Sequence, residues 1–214
     1  MNSTGQRLAE VALLRRLYEV FRFPEAPLIA EIYGGNWLSD VANSLPVLGI
    51  DYPDSWNAIQ ESIVGAEQPN DQISILESLI TEYSRLFINS YQGILVSPYG
   101  SAYLAGADQV ALQVTEWYRR AGVALPPDYP YPPDYLPVEL EFLAHLTQLI
   151  PEVGTGEAAS DLRLVKEEFC RNHFCLWIPS FVWKVVAMSK EPLYVLAAQV
   201  LQNFIPYFQA RQRI

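Results

Sequence analysis

The stretch QISILESLITEYSRLFINSYQGILVSPYGSAYL, residues 72–104, decides the fold class. Its first half repeats apolar side chains every three or four residues, which is the period of one face of an α-helix. That face comprises Ile73, Leu76, Leu79, Ile80, Tyr83, Leu86 and Phe87. After Phe87 the period is lost, because glycines, Pro98 and small polar residues interrupt it. The stretch therefore predicts an amphipathic helix followed by an irregular loop.

Helical periodicity continues on both sides of this stretch. On the N-terminal side, Leu8 to Phe21 form one apolar face, and Gly34–Gly35 weakens the middle of the following helix. On the C-terminal side, the five prolines of residues 122–134 exclude helix interior and predict a turn-rich connector, and Asp134 is predicted to cap the next helix. The predicted helices are 8–21, 25–41, 53–63, 72–87, 104–120, 134–149, 160–175, 177–189 and 192–210, with a loop over 65–71.

The chain contains about nine helical segments and no run of alternating strands with hairpin signals, so we expect an all-α fold. Its 214 residues suit one compact domain spanning 1–214. Half of the residues are apolar, which is ample for a buried core.

The formal net charge of -10 disfavours DNA, RNA or an anionic membrane surface as a partner, because each requires clustered Lys and Arg. An acidic surface is better matched to a basic peptide. No apolar run reaches the roughly 20 residues that span a bilayer. The N-terminal residues lack the order of basic, apolar and small residues that marks a signal peptide. We therefore expect a cytoplasmic protein without a membrane span.

The sequence contains no recognisable catalytic or metal-binding motif. There is no phosphate-cradling loop or dinucleotide fingerprint, so no nucleotide cofactor is predicted. Cys170, His173 and Cys175 do not share one helical face, and a closed zinc site requires four ligands. Glu139 and Glu141 lie two residues apart on a helix and point in different directions, which disfavours a shared acid–base site. The chain is thus predicted not to be an enzyme.

Three segments resemble the TorD/DmsD/NarJ family of molybdoenzyme maturation chaperones. They are EYSRLFINSYQGILVSPYGSAYL (82–104), PPDYLPVELEFLAHL (132–146) and, more weakly, HFCLWIPSF (173–181). Order and spacing agree with the family across roughly 82–181. The resemblance implies a TorD-like helical domain that binds the apo catalytic subunit of a molybdenum oxidoreductase, through its twin-arginine signal peptide or N-terminal region. Such a chaperone delays export until the client has received molybdopterin guanine dinucleotide.

The resemblance also implies a set of peptide-contact residues. They are Tyr83, Leu86, Phe87, Tyr91, Pro98, Tyr99, Gly100, Ser101, Tyr103, Pro132, Asp134 and Tyr135. Asp134 is expected to pair with arginines of the peptide, and the tyrosine faces to add cation–π contacts. Many family members have Asp-His where this chain has Asp134-Tyr135. Two alternatives remain open: a permanent structural subunit of a reductase complex, and a nucleotide-binding enzyme in the same helical shell.

Overall fold

The computed structural model describes residues 3–64, 69–91 and 93–210. Within these ranges the regular structure is helical, and extended pairing is limited to isolated bridges, which confirms the predicted all-α class. The helices are α1 (Ser3–Phe21), α2 (Ala26–Tyr33), α3 (Asn36–Leu48), α4 (Trp56–Val64), α5 (Pro69–Tyr83), α6 (Ala107–Arg120), α7 (Leu136–Glu152), α8 (Glu157–Phe169), α9 (Cys175–Met188) and α10 (Pro192–Ala210). None of these helices has the length and apolar character needed to cross a bilayer.

Helix α1 lies at the centre of the packing, against α3, α7 and α10. Leu13, Leu14 and Leu17 on its apolar face are completely buried. Each such leucine stabilises the fold by about 2 kcal/mol through removal of apolar surface from water. On the polar side, Arg16 pairs with Glu31 of α2 and Asp40 of α3 at 3.0 and 2.6 Å. Both faces of α1 therefore hold neighbouring helices in place.

Two π-helical turns interrupt the regular helices. One, Ser84–Ile88, follows α5, and the other, Cys170–Phe174, joins α8 directly to α9. The second turn makes one continuous helical segment of 157–188, where two separate helices were predicted. The ten α-helices of the described ranges therefore form nine segments, in agreement with the predicted number. A π turn rotates the side chains that follow it, which is why such turns often occur at functional sites.

The prediction of one helix over 25–41 is wrong. Helix α2 ends before Gly34–Gly35, and α3 begins at Asn36. Gly35 has φ 76°, in the left-handed region that a residue with a Cβ adopts at a cost. A Cβ on Gly34 would lie 2.8 Å from the Ala30 carbonyl oxygen. The glycine pair therefore breaks the helix rather than merely weakening it.

Other boundaries and faces shift slightly. Helix α4 begins at Trp56 rather than at Pro53, and α6 begins at Ala107, after Gly106. Leu8 and Ile73 match the apolar period but are 63% and 64% exposed, so the apolar face is not buried along its whole length. Of the predicted loop over 65–71, residues 65–68 lie outside the described ranges, and Pro69 already begins α5.

Substituting Gly35→Ala is expected to lower the free energy of unfolding by about 1 kcal/mol, because alanine is strained at positive φ. Gly5→Ala is the matched control. Gly5 lies within α1, and a Cβ there meets nothing within 4 Å, so a gain of up to ~0.5 kcal/mol is expected. Urea denaturation measures both. A Gly35→Ala variant as stable as the original protein would contradict the strained-turn explanation.

Candidate functional site

Two loops from different parts of the chain pair with each other beside the N-terminus of α7. They comprise residues 97–103 and 132–136, and we call them the loop pair. The Leu136 N–H donates to the Pro98 carbonyl at 2.9 Å, and the Gly100 N–H donates to the Asp134 carbonyl at 3.0 Å. Between these bonds, Tyr99 and Tyr135 form an antiparallel bridge. The pairing satisfies backbone groups that would otherwise be buried without partners.

Asp134 joins the two loops through its side chain as well. Its Oδ2 accepts a hydrogen bond from the Ser101 N–H at 2.8 Å, and the residue is only 1% exposed. The prediction that Asp134 caps the following helix is therefore wrong. The N-cap of α7 is Tyr135, and no side chain caps it. The carboxylate instead binds the backbone N–H of Ser101 in the opposite loop.

A buried carboxylate lies beneath the loop pair. Glu139 of α7 is fully buried, its Oε1 is 2.5 Å from Nε2 of His173, and its Oε2 accepts from Nε1 of Trp177 at 3.1 Å. Burial raises the pKa of Glu139, and the adjacent His173 opposes that rise. The three residues connect α7 to the second π turn and to α9.

Gly100 rests directly on this carboxylate network. A Cβ on Gly100 would lie 2.8 Å from Cε1 of His173 and 3.2 Å from Nε1 of Trp177. Since both rings are held by Glu139, neither is free to move aside. The position therefore requires glycine for close approach. Here all three segments that carry the family resemblance meet.

A pair of tyrosines supports the other side of the loop pair. The hydroxyls of Tyr83 and Tyr135 lie 2.7 Å apart, and Tyr83 also donates to the Phe21 carbonyl at 3.4 Å. Burial raises the pKa of both phenols, so both remain uncharged at physiological pH. The pair connects α5 and the end of α1 to the second loop.

Partly exposed aromatic rings surround this tyrosine pair, and we call them the aromatic face. Its members are Phe23, Tyr99, Tyr129 and Tyr131. Tyr131 stacks on Tyr135 with ring centroids 4.5 Å apart, and Tyr99 lies 5.4 Å from the same ring. Phe23 packs 5.5 Å from Tyr83, and Phe23 and Tyr131 are 39% and 40% exposed. Several packed aromatic rings, from the loop pair and from the segments beside it, are thus presented at the surface.

The predicted contact residues divide into a buried and an accessible group. The buried group is Tyr83, Leu86, Phe87, Pro98, Gly100, Asp134 and Tyr135. The accessible or half-buried group is Tyr91, Tyr99, Ser101, Tyr103 and Pro132. Except for Tyr91, the accessible residues belong to the loop pair, so the structure brings most of the prediction together. For every residue of the predicted set, contact with a peptide stays a prediction.

Tyr91 and Tyr103 differ in their surroundings. Tyr91 is fully exposed on the turn closed by the Ser90–Gly93 hydrogen bonds. Tyr103 is fixed inside the loop pair: its hydroxyl donates to the Ser97 carbonyl at 2.8 Å, and its ring stacks on Trp177 at 5.6 Å. The Lys184 ammonium lies 4.9 Å from the Tyr103 ring centroid, a cation–π contact.

Sequence reasoning missed Glu139 as the buried centre of the site and Phe23 and Tyr131 as accessible rings. Glu139 was considered only as a catalytic partner of Glu141. Its signal is an acid enclosed by apolar residues in VELEF, 138–142, which places one carboxylate on the buried face of α7. Tyr131 is marked by its position in YPYPPDY, 129–135, which overlaps the turn-rich connector predicted over residues 122–134.

Metal and thiol chemistry find no support in the site geometry. In the part of the chain that the structure describes, no three His, Cys, Asp or Glu side chains converge as a metal site would require. Cys170 and Cys175 are free and buried, and burial raises the pKa of Cys175 to about 12. His173 is engaged by Glu139. The cluster is thus part of the core.

The fold and the site define a class of all-helical proteins whose irregular loops are held over a buried polar network. The family model described as "Nitrate reductase delta subunit" matches residues 50–182, well over half of the chain. This protein belongs to that family, and the match confirms the resemblance to the TorD/DmsD/NarJ chaperones.

Two curated relatives share the name "Chaperone protein TorD". The one from Vibrio cholerae serotype O1 is 27% identical over 139 residues, covering 64% of this chain and 62% of the relative. The one from Shewanella piezotolerans is 27% identical over 142 residues, covering 61% of this chain and 60% of the relative. The chain therefore matches about three fifths of the length of these relatives.

Substituting Gly100→Ala is expected to destabilise the protein by about 1–3 kcal/mol, because the added Cβ overlaps two fixed rings. Gly156→Ala serves as the control, since Gly156 has an ordinary φ of −77° and its Cβ would meet nothing within 4 Å. Thermal and urea unfolding measure the difference. Equal stability of the two variants would contradict the close approach of Gly100 to the Glu139 network.

Proposed function

We propose that this protein is a cytoplasmic, system-specific chaperone for a molybdenum oxidoreductase of the dimethyl-sulfoxide-reductase type. It binds the apo catalytic subunit at its twin-arginine signal peptide or N-terminal region. While bound, it assists insertion of the molybdopterin cofactor and delays export. The cofactor belongs to the client, and the chaperone performs no chemistry itself.

The aromatic face supports this proposal most directly. It lies beside the place where the first two segments of family resemblance pair. Phe23, Tyr99 and Tyr131 pack on Tyr83 or Tyr135, and Tyr129 packs on Tyr131. Rigid aromatic side chains offer large contact area at little conformational entropy cost, which suits recognition of a flexible peptide. The similarity to relatives named as TorD chaperones also supports a chaperone function.

A twin-arginine segment matches this surface in charge and in the chemistry of its aromatic rings. Guanidinium groups stack on tyrosine faces, and each such contact contributes about 0.5–2 kcal/mol. Glu141 lies exposed on the first turns of α7. Burial raises the pKa of Tyr129, and the negative charge of the nearby Glu141 raises it further. The chain as a whole carries a net charge of -10. A basic peptide is therefore attracted to the surface and then held by the rings.

The buried residues of the predicted set act as supports in this proposal. Asp134 is enclosed and already bonded to Ser101, so it holds the loop rather than meeting the arginine directly. Tyr135 keeps its hydroxyl on Tyr83 and offers only its ring to Tyr131 and Tyr99. The replacement of the family's histidine by Tyr135 is compatible with this role, since the role requires packing and one hydrogen bond.

A permanent subunit of a reductase is the second candidate, favoured by the description of the matching family as a delta subunit. The two functions differ in the fate of the complex. A chaperone is absent from the mature enzyme purified from the native host, whereas a subunit is retained at a fixed ratio.

Substituting Tyr131→Ala is expected to weaken binding of a synthetic twin-arginine leader peptide about fivefold, because one cation–π and stacking contact of ~1 kcal/mol is lost. Isothermal titration calorimetry at two salt concentrations measures this, and higher salt should weaken binding further. Tyr52→Ala is the matched control: Tyr52 is 45% exposed, against 40% for Tyr131, and lies outside the aromatic face between α3 and α4. Equal affinity of both variants would count against the aromatic face as the binding surface.

Asp134 distinguishes support from direct pairing. Asp134→Ala is expected to weaken leader binding about tenfold, because the bond to Ser101 is lost and the loop loosens. Asp134→Asn keeps an oxygen acceptor for that N–H and should retain affinity within roughly twofold. Titrations of the two variants against the same peptide decide the question. If Asn weakens binding as much as Ala, the carboxylate charge itself contacts the peptide.

A further inference from the structure

A cavity lies at the opposite end of α7 from the loop pair. It has a volume of about 380 Å³ and is lined by residues of α1, α7, α8 and α10. Ile150 on its wall is fourteen residues beyond Leu136, which corresponds to roughly 20 Å along a helix. The cavity is therefore distinct from the aromatic face, and the volume suits a small molecule.

One wall of this cavity is a buried carboxylate whose charge is already compensated. Glu10 is 1% exposed, and its Oε1 accepts from the Lys166 ammonium and from the Thr147 hydroxyl. Its Oε2 accepts from the Tyr207 hydroxyl at 2.8 Å. Because both oxygens are occupied and a cation is adjacent, Glu10 repels an incoming anion little. The network also fixes the shape of the wall.

Two arginines on the rim are available to a ligand. Arg7 of α1 and Arg163 of α8 line the cavity, and neither forms a hydrogen bond or ion pair with another residue in the described ranges. The two residues line the cavity from different helices. Among the described residues of the lining, Glu167 is the one further charge, so these residues carry an excess of one positive charge once Glu10 and Lys166 are counted as a pair. This local excess contrasts with the net charge of -10 for the chain.

The remaining lining is apolar. Ile150, Pro151, Cys170 and Phe208 form it, from the end of α7, the second π turn and α10. A cavity with an apolar wall and a few convergent polar groups is the usual form of a small-molecule site. Guanidinium groups bind the planar carboxylate and the phosphate group in a bidentate manner.

We propose that this cavity binds a small organic anion, with a carboxylate or phosphate held by Arg7 and Arg163 and an apolar body packed against Phe208 and Ile150. Two sources share this chemistry: a carboxylic acid and a phosphate monoester. The inference is independent of the proposed chaperone function, since no residue of the cavity belongs to the loop pair or the aromatic face.

Calorimetric titration of the full chain with four probes tests the proposal. Phenyl phosphate and phenylacetate carry an anion on an apolar ring, inorganic phosphate carries the anion alone, and benzyl alcohol carries the ring alone. At least one of the two aromatic anions should bind about tenfold more tightly than benzyl alcohol and than inorganic phosphate. Whichever of the two aromatic anions binds more tightly identifies the ligand class as a carboxylic acid or a phosphate monoester. Equal binding of the aromatic anions and benzyl alcohol would overturn the proposal.

Variants locate the binding. Arg163→Gln changes an exposed side chain and should reduce the affinity for the more tightly bound aromatic anion about tenfold. Arg7→Gln should reduce the same affinity by a similar factor. Arg119→Gln is the control, because Arg119 is an exposed arginine of α6 outside the cavity. Unchanged anion affinity in Arg163→Gln would refute the site even if Arg7→Gln proved unstable. Leader-peptide binding should be unaffected in both cavity variants, which separates this test from that of the chaperone function.

Discussion

The contact between the Glu139 carboxylate and the rings of His173 and Trp177 is the constraint on which the site depends. A fully buried carboxylate is costly unless hydrogen-bond donors surround it, and here two ring nitrogens from another part of the chain satisfy both oxygens. This requirement sets the position of α7 relative to α9. It also fixes the two rings on which Gly100 rests. The three segments of family resemblance are thereby joined at one place.

Irregular backbone near the core is stable only when its polar groups find partners. In the loop pair, Pro98, Gly100 and Ser101 exchange hydrogen bonds with Asp134 and Leu136 across the two loops. The partners come from the loops themselves and from the free N–H of the first residue of α7, because the N–H and C=O groups inside a helix are bonded internally. The result is a rigid, non-helical surface on a helical protein. Such a surface can hold exposed aromatic rings in place before a ligand arrives, which lowers the entropy cost of binding.

The predictions from sequence succeeded where a single physical rule acts alone. Apolar periodicity identified most helices correctly, and the prolines of 122–134 marked a real connector. The predictions failed where two rules compete. At Gly34–Gly35, the apolar period on both sides predicted one continuous helix, whereas the left-handed backbone conformation of Gly35 ends that helix. At Asp134, the local pattern favoured a helix cap, but a donor 33 residues away in the chain, Ser101, was better placed.

The sequence by itself determined the all-α class, the approximate number of helices and the two segments that form the loop pair, because periodicity and proline content are local properties. Tertiary structure alone decided which residues of those segments are accessible. Asp134 and Tyr135 are chemically suited to peptide contact, yet packing encloses them, while Tyr131, directly before that segment in the chain, remains 40% exposed. Burial depends on what lies across the fold, and Glu139 acquires its role only when His173 and Trp177, more than thirty residues further along the chain, fold against it.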